Sequence, residues 1–152
     1  FLDNLPKQPK IRVVHGDYGL HNCLIGPNST VAAVVDWEIS TLGDPLADIA
    51  YALNTFPDPE DEIPIAPEAA TNVPNMPTRS DLVQRYADRT GRDISKINYY
   101  YGFNRWKSAC IVHGVYARYM QGNKSSEGVD LEHMRTRIEG ALTLATQAVN
   151  RI

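Results

Sequence analysis

Apolar positions early in the chain come as short β-branched runs, and those of the second half recur at helical spacing. Lys10 to Val14 is the first run. Cys23 to Ile25 and Val31 to Val35 are two more, separated by G-P-N-S, whose turn chemistry predicts a hairpin. Asp44-Pro45 offers an N-cap followed by proline in the first turn, and Leu46, Ile49, Ala50 and Leu53 continue it as a helix. From Asn54 to Thr78 the periodicity dissolves. Six prolines (57, 59, 64, 67, 74 and 77) and the charges Asp58, Glu60, Asp61 and Glu62 predict an irregular, proline-rich loop over 54–78. Three helices follow. Ser80 caps one through Thr90 with Gly91 as its stop. Ser95 opens a long one carrying Ile97, Tyr101, Trp106, Cys110, Val115 and Tyr119 to near Gly122. The last runs from Leu131 to Val149, with Met134, Ile138, Ala141, Leu142, Ala145 and Val149 on one side. The aromatic series Tyr99, Tyr100, Tyr101, Phe103 and Trp106 reads as core and helix-packing surface, with a ligand-stacking platform as the sharper alternative. The pattern predicts one α+β domain over 1–152, mostly helical with a small β-hairpin.

Composition narrows this a little. A 152-residue chain with 43% hydrophobic residues can build one core. A net charge of −3 leaves no basic footprint for nucleic acid. No apolar run approaches the ~20 residues that cross a bilayer, so neither nucleic acid nor membrane is an expected partner. Cys23 and Cys110 lie far apart in apolar surroundings, predicting buried free thiols and a reducing, cytoplasmic setting.

The candidate chemistry is concentrated in V-V-H-G-D-Y-G-L-H-N-C-L-I, Val13 to Ile25, which places His15, Asp17, His21 and Asn22 between two strands. With the hairpin turn near Pro27 and Asn28, Asn22 and Asp36 become neighbours at its open end, and Asp17 arrives there from the preceding loop. Two carboxylates and an amide oxygen converging on one spot call for a compensating cation. Hard oxygen ligands suit Mg²⁺, which takes one or two protein carboxylates and completes its shell with water and phosphate. Such a set fits phosphoryl transfer: Asn22 and Asp36 hold the metal, and Asp17 faces the acceptor hydroxyl. The plainer alternative is that Asp17 and Asn22 only make turn hydrogen bonds.

H-G-D-Y-G-L-H-N resembles the H-x-D-x-x-x-x-N loop of the aminoglycoside phosphotransferase and choline kinase group, whose fold is protein-kinase-like. D-W-E at Asp36 to Glu38 stands where kinases carry D-F-G, and T-L-G-D-P-L-A-D-I-A resembles that group's G-D-P-x-x-D-L-A. The wording D-W-E-I-S-T-L-G-D-P-L-A-D, with G-V-Y-A-R-Y further on, is most similar to phosphotransferase domains related to those fused to acyl-CoA dehydrogenases. The resemblance implies a kinase-like C-terminal lobe that transfers phosphate from ATP, or GTP, with Mg²⁺ to a hydroxyl of a small molecule, hydroxyacyl compounds in particular. It makes Asp17 the catalytic base and Asn22 and Asp36 the metal ligands. His15 becomes the loop's packing and hydrogen-bonding anchor, and Asp48 a brace on the loop's backbone. His21 reads as a loop-packing histidine. Glu38 points to the other face if its strand continues, and its role stays open.

Twelve residues precede Val13, and neither the glycine-rich strand pair nor the phosphate-engaging lysine of a kinase is among them. The expectation is a C-terminal lobe that is inactive alone and partnered by its nucleotide-binding N-terminal lobe. Two rival classes stand beside this one. A catalytically silent kinase-like binding module has no need of Asp17, Asn22 and Asp36 together. A metal-dependent phosphohydrolase built on His15 and Asp17 needs a second ligand cluster, which His113 and His133 do not supply. The acidic 58–62 loop reads as solvated charge, or else as a surface for a cationic acceptor.

Overall fold

The computed structural model describes residues 2–7, 11–63 and 69–152. Strand β1 (Arg12–Val14) pairs antiparallel with β4 (Thr41–Gly43), and β2 (Cys23–Ile25) with β3 (Val31–Val34). Four helices follow: α1 (Pro45–Ala52), α2 (Arg79–Thr90), α3 (Ile97–Met120) and α4 (Leu131–Val149). The β2–β3 hairpin sets Cys23 opposite Val34 and Leu24 opposite Ala33, then slips at Ile25, which faces Val31. Its turn needs left-handed backbone at Asn28 and Ser29, with φ of 62° and 57°. Asparagine tolerates that conformation better than most side chains do.

Strand β4 is the element that the apolar pattern did not mark. It is three residues long and follows a 3-10 turn at Trp37–Ile39, too short to carry a period. Glu38 sits in that turn, exposed, because β3 ends at Val34 instead of running on through it. Lys10 and residues 64–68 of the proline-rich segment, with Pro64 and Pro67, lie outside the described residues. Described parts of that segment hold a 3-10 turn at Leu53–Thr55 and isolated turns.

Helix starts differ from the sequence expectation in two places. Thr78, not Ser80, caps α2: its hydroxyl accepts from the Asp81 amide at 3.0 Å while the Asp81 carboxylate accepts from the Thr78 amide at 3.1 Å. That reciprocal box satisfies two orphan donors, and Ser80 is freed to donate to Asp58 at 2.7 Å. Ser95 does not cap α3; its amide donates to the Asp93 carboxylate in a turn two residues before the helix begins. α1 and α4 begin on Asp44 and Asp130, each accepting from an amide of the first turn.

The core lies where α1, α2, α3 and α4 meet, with Ala50, Leu53, Val83, Tyr101 and Ala148 at its centre. Small residues along one face let α4 approach α3 closely: Ala145 and Ala148 are both buried. Tyr99 and Tyr101 are core residues, but Phe103 and Trp106 point outward, 37% and 46% exposed. Cys110 is exposed and Cys23 half-buried, so the thiols are free but not buried; Cys110 falls on the outward face of α3, beside buried Ala109.

The acidic segment divides: Glu60 and Glu62 are exposed to solvent, as expected, whereas Asp58 and Asp61 are buried and paired. Asp61 accepts both guanidinium nitrogens of Arg79, at 2.8 and 2.6 Å, and lies 3.7 Å from Arg105. Asp58 takes Ser80 and lies 3.9 Å from Arg79. All four side chains are nearly inaccessible. Their partners sit on α2 and α3, so this cluster ties the irregular segment to the helices. Removing one member of a buried ion pair strands the other charge. Asp61→Ala is therefore expected to cost about 3–5 kcal/mol, measured by urea denaturation, while Glu60→Ala, at an exposed position beside it, stays near wild type.

Candidate functional site

The site grows from the crossing of the 15–22 loop with the first turns of α1. Asp48 uses both carboxylate oxygens on the loop, accepting from the His15 amide at 2.6 Å and the Gly16 amide at 2.9 Å. That grip turns the chain through Gly16, whose φ of 85° lies in the left-handed region. An added Cβ there would sit 3.1 Å from the Ile39 carbonyl oxygen, so both conformation and space demand glycine. The Gly16 carbonyl in turn accepts from Lys107 Nζ at 2.8 Å, arriving from α3.

His15 is 1% exposed and does two things with its ring. Nδ1 accepts from the Asp17 amide at 3.3 Å, which puts the proton on Nε2, and Nε2 then donates to the Val35 carbonyl at 2.8 Å. The imidazole thus spans from the backbone of Asp17 to the residue before Asp36. Trp37 covers it with ring centroids 4.7 Å apart.

Asp17 is 30% exposed on its side chain and surrounded by donors. Asn22 Nδ2 donates to the Asp17 carbonyl at 2.9 Å and to its carboxylate at 3.3 Å. His21 Nε2 lies 3.3 Å from the same carboxylate oxygen. His21 is exposed yet lies against its own loop; Gly19 leaves room for its ring, since a Cβ there would come within 2.6 Å of it. The Tyr51 hydroxyl is a further hydrogen-bond partner of Asp17. Burial pushes the Asp17 carboxyl up, but the hydrogen bonds from Tyr51, His21 and Asn22, with the His21 charge, outweigh it and hold it below its ordinary value. The reciprocal effect on Tyr51 is large: burial first, then the Asp17 carboxylate, push its phenol up to about 12.

Asn22 is 6% exposed, and its carbonyl accepts from the Val35 amide at 2.9 Å, which brings the hairpin's open end together. Asp36 follows at once, exposed and left-handed with φ 68° and ψ 48°. With Asn22 Nδ2 committed to Asp17, its Oδ1 is the atom left to face a cation. Among the described residues no group of three or more His, Cys, Asp or Glu side chains forms a cage. The donor chemistry here is one carboxylate and one amide oxygen. That fits Mg²⁺, which draws most of its ligands from water and phosphate, and it does not fit zinc.

Two site residues escaped sequence reading, Tyr51 and Lys107. Lys107 Nζ lies 4.9 Å from the Tyr51 ring centroid while bonded to Gly16. Tyr51 stands three positions after Asp48 on α1, hence on the same face, and that spacing was the available signal. Lys107 had none.

This geometry has relatives. A family model described as the phosphotransferase enzyme family matches residues 1–82. The chain belongs to that family. Acyl-CoA dehydrogenase family member 10 of Mus musculus is 36% identical over 129 residues, covering 81% of this chain and 12% of its own length. Family member 11 of Rattus norvegicus is 37% identical over 132 residues, covering 83% and 17%. The chain therefore spans less than a fifth of these curated relatives. Among solved structures, a candidate aminoglycoside phosphotransferase from Ralstonia eutropha JMP134 superposes with a TM-score of 0.69 at 30% identity, over 92% of this chain and 43% of that one. The fold is thus that of a kinase-like phosphotransferase.

Tyr51→Phe removes a donor that favours the charged form of Asp17, so the Asp17 pKa is expected to rise. NMR titration of the Asp17 carboxyl carbon checks this; an unchanged or lower midpoint would contradict the hydrogen bond.

Proposed function

We propose that this chain is the acceptor-side lobe of a Mg²⁺-dependent kinase that moves the γ-phosphate of ATP to a hydroxyl of a small molecule. The observation that carries it is the placement of Asp17, held by Tyr51, His21 and Asn22 beside the hairpin mouth, where Asn22 meets the backbone just before Asp36. Asp17 keeps its charge through these bonds and accepts the hydroxyl proton as the acceptor oxygen attacks. Asn22 and Asp36 would hold Mg²⁺, which would supply charge neutralisation for the transferring group. His15 and Asp48 fix the loop and take no part in the chemistry. His21 orients Asp17 from the open side, and Glu38 has no role in this scheme. ATP is the preferred donor, with GTP second.

The phosphate cradle comes from an N-terminal lobe. Supporting this is the apolar surface of the strands: Val13, Leu24, Ile25 and Leu42 are each more than half exposed, and Trp37 is 48% exposed. A surface of that kind marks an interface. The 152 residues alone transfer phosphate poorly or not at all. Among the described residues no helix is long and apolar enough to cross a membrane, and two free thiols suit a reducing cytoplasm. Similarity to proteins named as acyl-CoA dehydrogenase family members favours hydroxyacyl acceptors over antibiotics.

A silent binding module is the second reading, and the intact Asp17, Asn22 and Asp36 set weighs against it. The two separate in one experiment on the protein carrying both lobes, given γ-labelled ATP, Mg²⁺ and pooled hydroxyacyl, amino-alcohol and aminoglycoside compounds. Label transfer that falls about 10²–10⁴-fold in Asp17→Asn is the expected outcome. No transfer together with no Mg·ATP binding would leave only the silent module.

A further inference from the structure

Lys107 interrupts the face of α3 that meets α1. Tyr100 and Asn104 on that face bond the Asp44 carboxylate and the Ala47 carbonyl, and its next position carries an ammonium in place of a neutral donor. Lys107 is half-buried; its Nζ donates to the Gly16 carbonyl at 2.8 Å and stands 4.9 Å from the Tyr51 ring centroid. An uncharged donor would serve that carbonyl. The charge calls for another reason, because drawing an ammonium out of water is unfavourable unless an anion meets it.

The chain does not provide that anion. Lys107 pairs with no carboxylate among the described residues. Asp48 is turned to the amides of His15 and Gly16, and the ion-pair partner of Asp17 is His21. An ammonium has three donors, and Gly16 takes one of them.

This unpaired cation is nevertheless fixed beside the reacting group. The Gly16 carbonyl carbon is bonded to the Asp17 nitrogen, so Nζ lies within about 5 Å of that nitrogen. Tyr51 touches both charges: its hydroxyl bonds the Asp17 carboxylate and its ring carries the ammonium. Asn22 reaches Asp17 at the other end of the residue, donating to the Asp17 carbonyl. Lys107 and Asn22 thus address the two peptides that flank Asp17. The Asp17 side chain is 30% exposed and Lys107 half-buried, so neither is sealed from solvent.

We propose that Lys107 selects the phosphate acceptor by pairing with an anionic group on the molecule whose hydroxyl Asp17 deprotonates. Asn22 and Asp36 mark the donor's side of Asp17, which leaves the Lys107 side to the acceptor. The acceptor's anion supplies the partner that the chain withholds, at a point set by Gly16 and Tyr51, and so holds the hydroxyl at Asp17. A neutral polyol gains no such contact, and a cationic acceptor is repelled. In the step served, the hydroxyl proton goes to Asp17, the oxygen bonds the γ-phosphorus, and ADP leaves with the electrons of the broken bond. The proposal rests on the kinase reading for that step; the anion contact is measured without it.

The test uses the protein carrying both lobes, with ATP and Mg²⁺. ω-Hydroxy acids of three to eight carbons are compared with the diols and amino alcohols of equal length. The best hydroxy acid is expected to exceed its diol in kcat/KM by about ten- to a hundredfold, as one charge-assisted bond allows, and the amino alcohol to fall below the diol. Lys107→Gln keeps a donor for Gly16 but loses the charge. It is expected to bring the ratio of acid to diol to about one, whereas Lys107→Arg keeps most of it. A loosened loop lowers both rates together and leaves their ratio alone, so the ratio separates recognition from support. Equal kcat/KM for acid and diol in the wild type, or a ratio that survives Lys107→Gln, would overturn the proposal. A second readout omits nucleotide: the NMR signal of Lys107 Cε, assigned by its loss in Lys107→Gln, is expected to move with the hydroxy acid and not with the diol. That movement without transfer to any compound would sink the kinase reading and leave the anion contact standing. Transfer without that movement would do the reverse.

Discussion

Everything around Asp17 depends on one carboxylate that binds only backbone of the loop. Asp48 binds two consecutive amides, His15 and Gly16, and so fixes both the position and the direction of the chain entering the loop. The peptide after Gly16 is then held at its oxygen by Lys107. With one side pulled toward α1 and the other toward α3, the loop has little freedom left. The helices are themselves locked: Tyr100 of α3 donates to the Asp44 cap of α1 at 2.6 Å, and Asn104 donates to the Ala47 carbonyl at 2.9 Å. A charged acceptor serving two donors is worth more than two neutral bonds, which is why a loop this short of apolar contacts keeps one shape.

The molecule sorts its ionic groups into two kinds of setting. Asp58, Asp61, Arg79 and Arg105 form a buried cluster that fastens an irregular segment to the helices. Asp17 and Asp36 are left partly or fully open at the hairpin mouth. Only the second kind can change partners during a reaction. Hydrogen bonds from Tyr51, His21 and Asn22 hold the Asp17 carboxyl below its ordinary value with no arginine beside it among the described residues.

Legibility in the sequence followed range. The hairpin register was readable because turn position and strand period fix it, and Asn22 does meet the backbone just before Asp36. Helices α1 and α4 were readable from cap and period. In the charged segment Glu60 and Glu62 are solvated as read, but Asp58 and Asp61 were misread because the arginines that neutralise them lie on later helices, with no local pattern to announce them. Phe103 and Trp106 looked like core because aromatic clusters usually are, yet the face of α3 that carries Tyr99, Tyr101 and Ala109 inward turns them out. Tyr51 was within reach, three places after Asp48; Lys107 was not.

Lys107 and Gly16 are 91 residues apart, and Asp48 and His15 are 33 apart. Such separations carry a loop-closure cost that must be met before the contacts reward it. During synthesis the H-G-D stretch leaves the ribosome long before α3 does. Until that helix has been made and has docked, the chain holds every residue of the motif but cannot hold its shape, and a polypeptide interrupted before α3 carries the signature without the site.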